Sequence, residues 1–380
     1  MNKKKLAILA FGGTNWIGGI YYTKNIAYQL FLNDELRKKI DIYLFTYSDL
    51  INEFNGLQSS IRIIAMKRYS NPLLFKIALL FSLFKMRIKV VFPAQNFIPQ
   101  CLFKKIYWIP DFQHNRLPSF FNKEEISARD SLFNKIYKSK QPLILSSNDA
   151  KNDFETFYGK NKRNVYVMPF ISFLPSDLIN KNESYEKEVL NRFGLNDLRF
   201  VCVANQFWAH KNHIVVFDAI KRLFAEHPTL NIVFVFTGKV KDGRDKSYTD
   251  YINKIINLDY IKKHCVFTDF VKRSEQVVLL KRSLFIIQPS LFEGWGTVVE
   301  DAKTLGKVVL LSDIPVHHEQ MDKNCILFNP HNPIELANLI FEESLKQHLP
   351  SFEDNVLKTE KKGEYYSQVF ANVLKDYKII

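Results

Sequence analysis

Short apolar segments that alternate with helical patterns limit the possible fold of this chain more than any other feature. Each segment has the composition of a buried strand, and between them apolar residues recur at helical spacing. In the first part of the chain the predicted strands are residues 6–11, 42–45, 61–65, 90–92, 106–109, 143–146 and 165–168. This alternation predicts βαβ units around a parallel sheet.

The alternation stops in a polar segment, residues 172–195, and then starts again. The second set of predicted strands is residues 200–204, 232–236, 265–267, 284–287, 308–311 and 326–328. After the last of them, Asn332 followed by Pro333 predicts a capped helix that runs to about Ser344. A chain of 380 residues also exceeds the usual size of one hydrophobic core. We therefore predict an α/β protein of two facing, doubly wound (Rossmann-like) domains, residues 1–175 and 176–355, with a ligand cleft between them.

The stretch from Gln288 to Gly306 predicts a ligand site where a strand leads into a helix. The helix is predicted to start near Thr297, where unpaired amides and the helix dipole favour a phosphate. Gly294 and Gly296, on either side of Trp295, would let the backbone approach that phosphate closely. Three carboxylates also lie here and could accept hydrogen bonds from a polyhydroxylated ligand: Glu293, Glu300 and Asp301.

Three further segments follow predicted strands and carry candidate site residues. A glycine cluster, residues 11–20, includes Gly18 and Gly19, which could cradle a phosphate or form a tight turn without a ligand. The segment from Asn205 to His213 includes Gln206 and Lys211, and the lysine could neutralise a leaving phosphate unless it is only a solvated helix-start residue. His210 and His213 are as readily structural as functional.

The segment from Trp108 to Phe121 contains Asp111 and His114, which could contact a sugar or act as a base. It is equally consistent with the sequence that His114 is a solvated loop residue without a function. No Asp-x-Asp sequence and no His/Cys/Asp cluster at metal spacing occurs in the chain, so no metal ion or other cofactor is expected.

The formal net charge of +14 predicts attraction to anions such as a nucleotide or an anionic membrane surface. The basic residues are spread along the chain without a basic arm or tail, which disfavours nucleic acid. The four cysteines are far apart, and this indicates a reducing compartment. The apolar run near the N-terminus is too short for a signal peptide, and residues 77–84 are too short to span a bilayer. We therefore expect a cytoplasmic protein, either soluble or peripheral on the inner face of the plasma membrane.

Together these segments resemble the retaining glycosyltransferases of family four, the group 1 transferases with GT-B architecture. Residues 293–313 follow that family's motif of a glutamate, seven residues and a second carboxylate, which in register is Asp301, with Glu300 one residue early. The pattern around residues 205–213 and 292–301 is similar to a branch of bacterial surface-polysaccharide enzymes. The resemblance also implies that residues 356–380 form a helix that packs back on the N-terminal domain.

The resemblance implies a role for each candidate residue. Glu293 would hold hydroxyls of the donor sugar, Asp301 or Glu300 the ribose, and Lys211 the diphosphate. Gln206 stands where the family usually has an arginine, Gly18 and Gly19 match its first-domain glycine pair, and His114 looks like its sugar-contacting histidine. Catalysis would then depend on Glu293, Lys211 and His114, and donor binding on Gly18, Gly19, Gln206, Lys211, Glu293, Gly294, Trp295, Gly296, Thr297, Glu300 and Asp301.

The implied activity is the metal-independent, retaining transfer of a hexose-type sugar. Its donor would be a nucleoside-diphosphate sugar, and its acceptor a glycan or glycolipid of the cell envelope, capsule or lipopolysaccharide. Two alternatives stay open at this point: an inert nucleotide-sugar-binding subunit of a transferase complex, and an NAD-dependent oxidoreductase. The second lacks the Gly-x-Gly-x-x-Gly fingerprint and an acidic residue at the end of the second strand.

Overall fold

The computed structural model describes residues 3–12, 17–54, 57, 61–160, 164–172, 174, 176–179, 182–241, 245–346 and 352–380. The chain divides into two compact units. The first comprises residues 1–112, 123–171 and 360–380, and the second comprises residues 113–122 and 172–359. Residues 113–122, which lie within the domain predicted at 1–175, therefore group with the second unit.

The strands of the first unit are β1 (Lys4–Ala10), β2 (Ile40–Tyr47), β3 (Arg62–Met66), β4 (Val90–Phe92), β5 (Lys104–Lys105), β6 (Tyr107–Ile109), β7 (Leu143–Leu145) and β8 (Val165–Val167). Those of the second are β9 (Phe200–Ala204), β10 (Val233–Thr237), β11 (Cys265–Phe267), β12 (Ile286–Gln288), β13 (Val309–Ser312) and β14 (Cys325–Phe328). Every strand predicted from the sequence is present, and β5 is an addition.

The α-helices, in chain order, are α1 (Ile17–Leu32), α2 (Asp34–Lys39), α3 (Pro72–Lys85), α4 (Gln113–Arg116), α5 (Lys123–Lys138), α6 (Asn148–Tyr158), α7 (Ser176–Ile179), α8 (Glu183–Arg192), α9 (His213–Glu226), α10 (Lys246–Ile255), α11 (Asp259–His264), α12 (Arg273–Arg282), α13 (Thr297–Thr304), α14 (Pro315–Gln320), α15 (Pro333–Leu345) and α16 (Phe352–Asp376). Short 3₁₀ turns occur at Ser48–Phe54, Pro118–Phe120 and Ala209–Lys211. The helix predicted at Asn332–Pro333 is α15, capped by the Asn332 side chain.

In the first unit all strand pairs are parallel. A five-stranded sheet has the order β3-β2-β1-β4-β5, and a three-stranded sheet has the order β6-β7-β8. Ile106 joins them, because its amide donates to the Val91 carbonyl and its carbonyl accepts from the Ala94 amide. The core of this unit packs the central strands against helices, including Leu79 and Leu83 of α3.

The second unit contains one parallel sheet of six strands in the order β11-β10-β9-β12-β13-β14. Its strands are almost wholly buried, as expected when helices cover both faces of a parallel sheet. The strand order reverses between β9 and β12. In open α/β sheets ligands bind outside the carboxyl ends of the strands at such a reversal. A ligand site is therefore expected at the carboxyl ends of β9 and β12.

Candidate functional site

The loops that follow β9 and β12 meet at this reversal and bring Lys211 to Glu293. Asn212 adopts a left-handed conformation (φ 53°), and its side chain donates to the carbonyls of Pro289 (3.1 Å) and Pro330 (2.8 Å). In addition, the Leu291 amide donates to the His210 carbonyl. These hydrogen bonds hold the loop that carries Lys211 against the loop that carries Glu293.

The ion pair between Lys211 and Glu293 is the centre of the site. The Lys211 Nζ lies 2.5 Å from Glu293 Oε1, and the two side chains are only 14% and 9% exposed. Gln288 Nε2 (2.8 Å) and the Ser290 hydroxyl (2.7 Å) donate to the same oxygen. The structure therefore brings these two candidate residues together, and their role in a ligand site stays a prediction.

Glu293 is held in its charged form. Burial by itself raises the pKa of this carboxyl. The Lys211 ammonium and the hydrogen bonds from Lys211 and Ser290 together lower it by more, so the pKa of Glu293 lies below the ordinary glutamate value. At neutral pH Glu293 is therefore a carboxylate that can only accept hydrogen bonds. That suits it to hold hydroxyl groups.

His317 lies at the next strand end and was not predicted from the sequence. Its Nδ1 is 2.7 Å from the Ser312 carbonyl, an atom that can only accept, so Nδ1 carries the proton. The Ser312 hydroxyl in turn donates to the Ser290 carbonyl at 2.6 Å. Burial lowers the pKa of His317 to about 4, and the residue is therefore a neutral support behind the Glu293 loop.

The glycine-flanked turn packs against α14. The Gly296 amide donates to Gln320 Oε1, and Gln320 Nε2 donates back to the Gly296 carbonyl, both at 3.0 Å. A Cβ atom at Gly296 would lie 2.9 Å from Val299 and 3.0 Å from Gln320, so close packing explains this glycine. Because Gln320 takes the Gly296 amide, this amide is already occupied in the structure.

Helix α13 begins at Thr297, as predicted. Within the described ranges, the amides of Thr297 and Val298 have no acceptor, which is typical of a first helical turn. The Trp295 indole nitrogen is buried and also lacks an acceptor among the described residues. Gly294 and Trp295 themselves are half-buried. This edge of the turn therefore presents several unused hydrogen-bond donors.

Asp301 and Glu300 have different cationic partners. Arg273, at the start of α12, forms a two-pronged pair with Asp301 at 2.5 and 2.6 Å, and the Ser172 hydroxyl also donates to Asp301. Glu300 accepts from Lys303 (3.1 Å) and Gln320 (3.2 Å). Arg273 is a partner that the sequence analysis did not identify. Both carboxylates are buried.

Gln206 follows β9 and supports the neighbouring turn. Its Oε1 accepts from the Lys239 amide at 3.0 Å. Gly238 has φ +112°, and a Cβ atom there would lie 2.4 Å from the Asn205 carbonyl oxygen, so this turn requires glycine. The Gln206 side chain thus contacts the backbone beside the site, where the family's arginine would carry a charge.

The remaining candidate histidines are buried. His213 stacks on Phe207 with ring centroids 4.0 Å apart, and burial first, with the Lys211 charge second, lowers its pKa to about 3. His114 lies in α4, fully buried, with its ring edge-on to Phe121. His213 is thus a neutral core residue. The role of His114 toward a sugar stays a prediction.

Gly18 and Gly19 belong to the first unit and lie in the first turn of α1. Residues 13–16 of the same glycine cluster lie outside the described residues. Gly19 lines a pocket of about 380 Å³ at the carboxyl ends of β1, β4 and β6, together with Thr23, Trp108 and Lys135. The first unit therefore has a ligand-sized pocket of its own, and the role of the two glycines stays a prediction.

Residues 187–348 match the family described as "Glycosyl transferases group 1". The second-unit residues named in this site all lie within the matched segment, except Ser172, His114 and Phe121. This match confirms the resemblance that the carboxylate motif indicated.

Individual relatives match this chain over about half of their own length. The chain is 24% identical over 210 residues to the O-antigen chain mannosyltransferase RfbU of Salmonella typhimurium, covering 53% of each chain. It is 28% identical over 167 residues to the O-antigen biosynthesis glycosyltransferase WclY of Escherichia coli, covering 41% of this chain and 43% of that one. The chain thus spans about half the length of the curated relatives that it matches.

Solved structures match over the whole chain. The Anabaena protein Alr3699/HepE, solved with UDP-glucose, has a TM-score of 0.71 at 13% identity and covers 99% of this chain and all of its own. WaaG, a glycosyltransferase involved in lipopolysaccharide biosynthesis, has a TM-score of 0.62 at 12% identity and covers 99% of each chain. These likenesses show the fold, which is that of GT-B glycosyltransferases.

Proposed function

We propose that this chain is a retaining glycosyltransferase, because residues 187–348 match the family of group 1 glycosyl transferases. It moves a hexose-type sugar from a nucleoside-diphosphate sugar to a glycan or glycolipid of the bacterial envelope. The observation that carries the proposal is the Lys211–Glu293 pair at the carboxyl ends of β9 and β12, beside the unpaired amides of α13. The names of the relatives RfbU and WclY support an O-antigen acceptor, and the HepE structure with UDP-glucose supports the donor class.

The diphosphate of the donor would bind between Lys211 and the start of α13. Unpaired amides at a helix N-terminus, together with the helix dipole, bind phosphate oxygens. Lys211 would exchange Glu293 for a phosphate oxygen, because a compact ammonium can stabilise the charge that develops on the leaving group. The Trp295 indole N–H, which has no acceptor within the described ranges, would supply a further hydrogen bond to the donor.

The donor sugar would then meet Glu293. This carboxylate stays charged and is fixed by Gln288 and Ser290, so it can accept hydrogen bonds from two sugar hydroxyls in a defined direction. Asp301 or Glu300, further along α13, would receive the ribose hydroxyls. Of the two, Asp301 is aligned with the family motif and is held by Arg273.

The reaction that fits these groups needs no metal ion. The bond between the anomeric carbon and the diphosphate oxygen breaks, and Lys211 and the α13 amides stabilise the charge on the departing oxygen. The acceptor oxygen bonds to the same face of the anomeric carbon, which retains the configuration. Its proton passes to the leaving diphosphate. The pocket of the first unit, lined by Tyr107 and Trp108, would hold the acceptor, since sugar rings pack on aromatic faces.

The test measures donor binding and donor cleavage together. UDP-, GDP-, ADP- and CMP-sugars are added without metal, and thermal stabilisation and nucleotide release are followed. A donor at about 100 times its dissociation constant should stabilise the protein by roughly 2.7 kcal/mol. Lys211→Met and Glu293→Gln should each weaken that shift and abolish release. Lys221→Met, at an exposed lysine on α9, is the matched control and should behave like the wild type.

Two outcomes would contradict the proposal. Stabilisation by a donor without release or transfer, even with membrane glycolipid extracts added, would indicate an inert nucleotide-sugar-binding subunit. Binding that is unchanged in Lys211→Met would place the donor elsewhere in the protein.

A further inference from the structure

Helix α3 of the first unit is apolar on the side that faces away from its own sheet. Leu79 and Leu83 are fully buried against the sheet. On the other side Leu73 (61% exposed), Ile77 (56%), Phe81 (65%) and Phe84 (71%) are open to solvent. Their spacing of four, four and three residues places them on one face of a helix. Leu74 lies beside them, also exposed.

This face is unusual for a water-exposed helix. Surface helices normally carry charged and polar residues opposite their buried stripe. Single exposed apolar residues need no explanation, but a contiguous apolar face marks a site of interaction. Five large apolar side chains exposed on one 14-residue helix form such a face, which we call the α3 face.

The sequence that contains α3 carries a net positive charge. From Asn55 to Pro110 it has nine Lys or Arg residues and no Asp or Glu, so much of the chain's net charge of +14 comes from this segment. By helical geometry Lys76 and Lys85 lie on opposite sides of the apolar stripe, and Arg87 and Lys89 follow directly. All four side chains are exposed.

The length of α3 decides between crossing a membrane and lying on it. No helix in the described part of the chain is long and apolar enough to span a bilayer, and 14 residues rise only about 21 Å. A helix with an apolar face and flanking lysines lies in the plane of the membrane interface, with its apolar side chains among the acyl chains. Its lysines then meet the anionic headgroups.

We propose that the α3 face docks the protein onto an anionic lipid bilayer. Its apolar side chains enter the interface, and the four exposed basic residues beside them, Lys76, Lys85, Arg87 and Lys89, bind the lipid headgroups. A second copy of this chain is a poorer occupant, because two such faces would bring their flanking lysines and arginines together. This surface is separate from the residues of the proposed reaction, so the inference stands whether or not the transfer chemistry is as proposed.

The test is sedimentation with vesicles. Wild-type protein should bind vesicles that contain about one-third phosphatidylglycerol, bind pure phosphatidylcholine much more weakly, and dissociate as salt rises. The variant Phe81→Ser with Phe84→Ser should bind at least about tenfold more weakly. Its melting temperature should stay that of the wild type, because both side chains are exposed. The matched control is Leu258→Ser with Leu345→Ser, which removes two exposed leucines of the second unit and should leave binding unchanged.

A charge variant tests the headgroup contacts independently. Lys76→Glu with Lys85→Glu should weaken binding to the anionic vesicles by at least about fivefold per residue, whereas Lys221→Glu with Lys254→Glu should have little effect. The proposal is overturned if the wild type does not bind anionic vesicles, or if the Phe81/Phe84 variant binds them equally well. It is also overturned if the wild type binds no lipid and instead forms a dimer that the Phe81/Phe84 variant does not form.

Discussion

At the scale of single residues, the proposed donor site holds each of its buried carboxylates against a cation. Glu293 is paired with Lys211, Glu300 with Lys303, and Asp301 with Arg273. Removing one member of such a pair leaves the other charge buried without compensation, which costs more than the pair itself contributes. Substitutions here therefore affect folding as well as ligand binding, and the two effects must be measured separately.

The Arg273–Asp301 pair predicts a large loss of stability on substitution. Asp301→Asn should lower the free energy of unfolding by roughly 3–5 kcal/mol, because the half-buried guanidinium loses a two-pronged carboxylate partner. Asp313→Asn is the control: Asp313 pairs with His318 at an exposed site, where a loss of less than about 1 kcal/mol is expected. Urea denaturation of both variants checks this, and equal losses would show that Arg273 is adequately solvated without Asp301.

Trp295→Phe separates donor binding from stability. The change removes the indole N–H, which has no acceptor in the described ranges, and keeps an aromatic ring. We expect donor affinity to fall by roughly fivefold to tenfold, the effect of one lost hydrogen bond. The melting temperature of the ligand-free protein should stay within error of the wild type. Titration of the stabilising nucleotide sugar checks this, and unchanged affinity would show that the indole does not face the donor.

The carboxylates and Lys211 could be predicted from the sequence because they lie in short segments directly after strands. Their partners could not. Arg273 is 28 residues before Asp301 and belongs to a different helix, and His317 is 24 residues after Glu293. Neither distance follows from a local pattern, since the contacts exist only once the parallel sheet has aligned the strand ends. For the same reason the sequence could not show that Gln320 takes the Gly296 amide.

At the scale of elements, the central strands were predictable because they are buried on both faces and so appear as continuous apolar runs. Helix α3 shows a feature that apolar patterns in the sequence do not predict, namely which of its sides is exposed. Its length predicted no membrane span, but a helix with apolar residues on both sides gives no sign of which side the sheet covers. Only the packing of Leu79 and Leu83 identified the opposite side as exposed.

The first turn of α9 predicts a pH dependence of stability. The pKa of His213 is lowered to about 3, chiefly by burial, so the folded protein keeps this residue neutral. The unfolded chain binds a proton near pH 6.5, and stability is therefore lost as the pH falls from there toward 3. At about pH 5 this single group should cost roughly 2 kcal/mol relative to neutral pH.

The variant His213→Phe keeps the stack on Phe207 and removes the titration. Between about pH 7 and pH 5 its free energy of unfolding should fall by roughly 2 kcal/mol less than that of the wild type. His318→Gln changes an exposed histidine and serves as the control. Denaturant unfolding across this pH range checks the difference. Parallel curves for wild type and His213→Phe would show that His213 is protonated in the folded state.

At the scale of the whole molecule, the net charge is distributed unevenly along the chain. The segment from Asn55 to Pro110, which contains α3, has nine basic residues and no acidic one, while the second unit pairs its site charges almost completely. Net charge alone predicted an anionic partner but did not say where it would bind. The position of the acid-free segment in the fold makes that expectation specific, because it places the charge beside exposed apolar side chains.

The last part of the chain is a structural part of the first unit. Residues 360–380 group with that unit, and Phe370, Val373 and Leu374 of α16 are fully buried. Phe370 lies edge-on to Phe92 of β4, with ring centroids 5.3 Å apart. Side chains of α16 are therefore part of the core of the first unit.

Phe370→Ala should lower the free energy of unfolding of the first unit by roughly 3–5 kcal/mol, since it leaves a cavity beside the central strands. Tyr365→Ala, at an exposed position of the same helix, should change it by less than about 0.5 kcal/mol. Calorimetry checks both variants, and a donor sugar added in parallel reports whether the second unit is still folded. A shift of under about 1 kcal/mol for Phe370→Ala would mean that α16 packs loosely and that the first unit is stable without it.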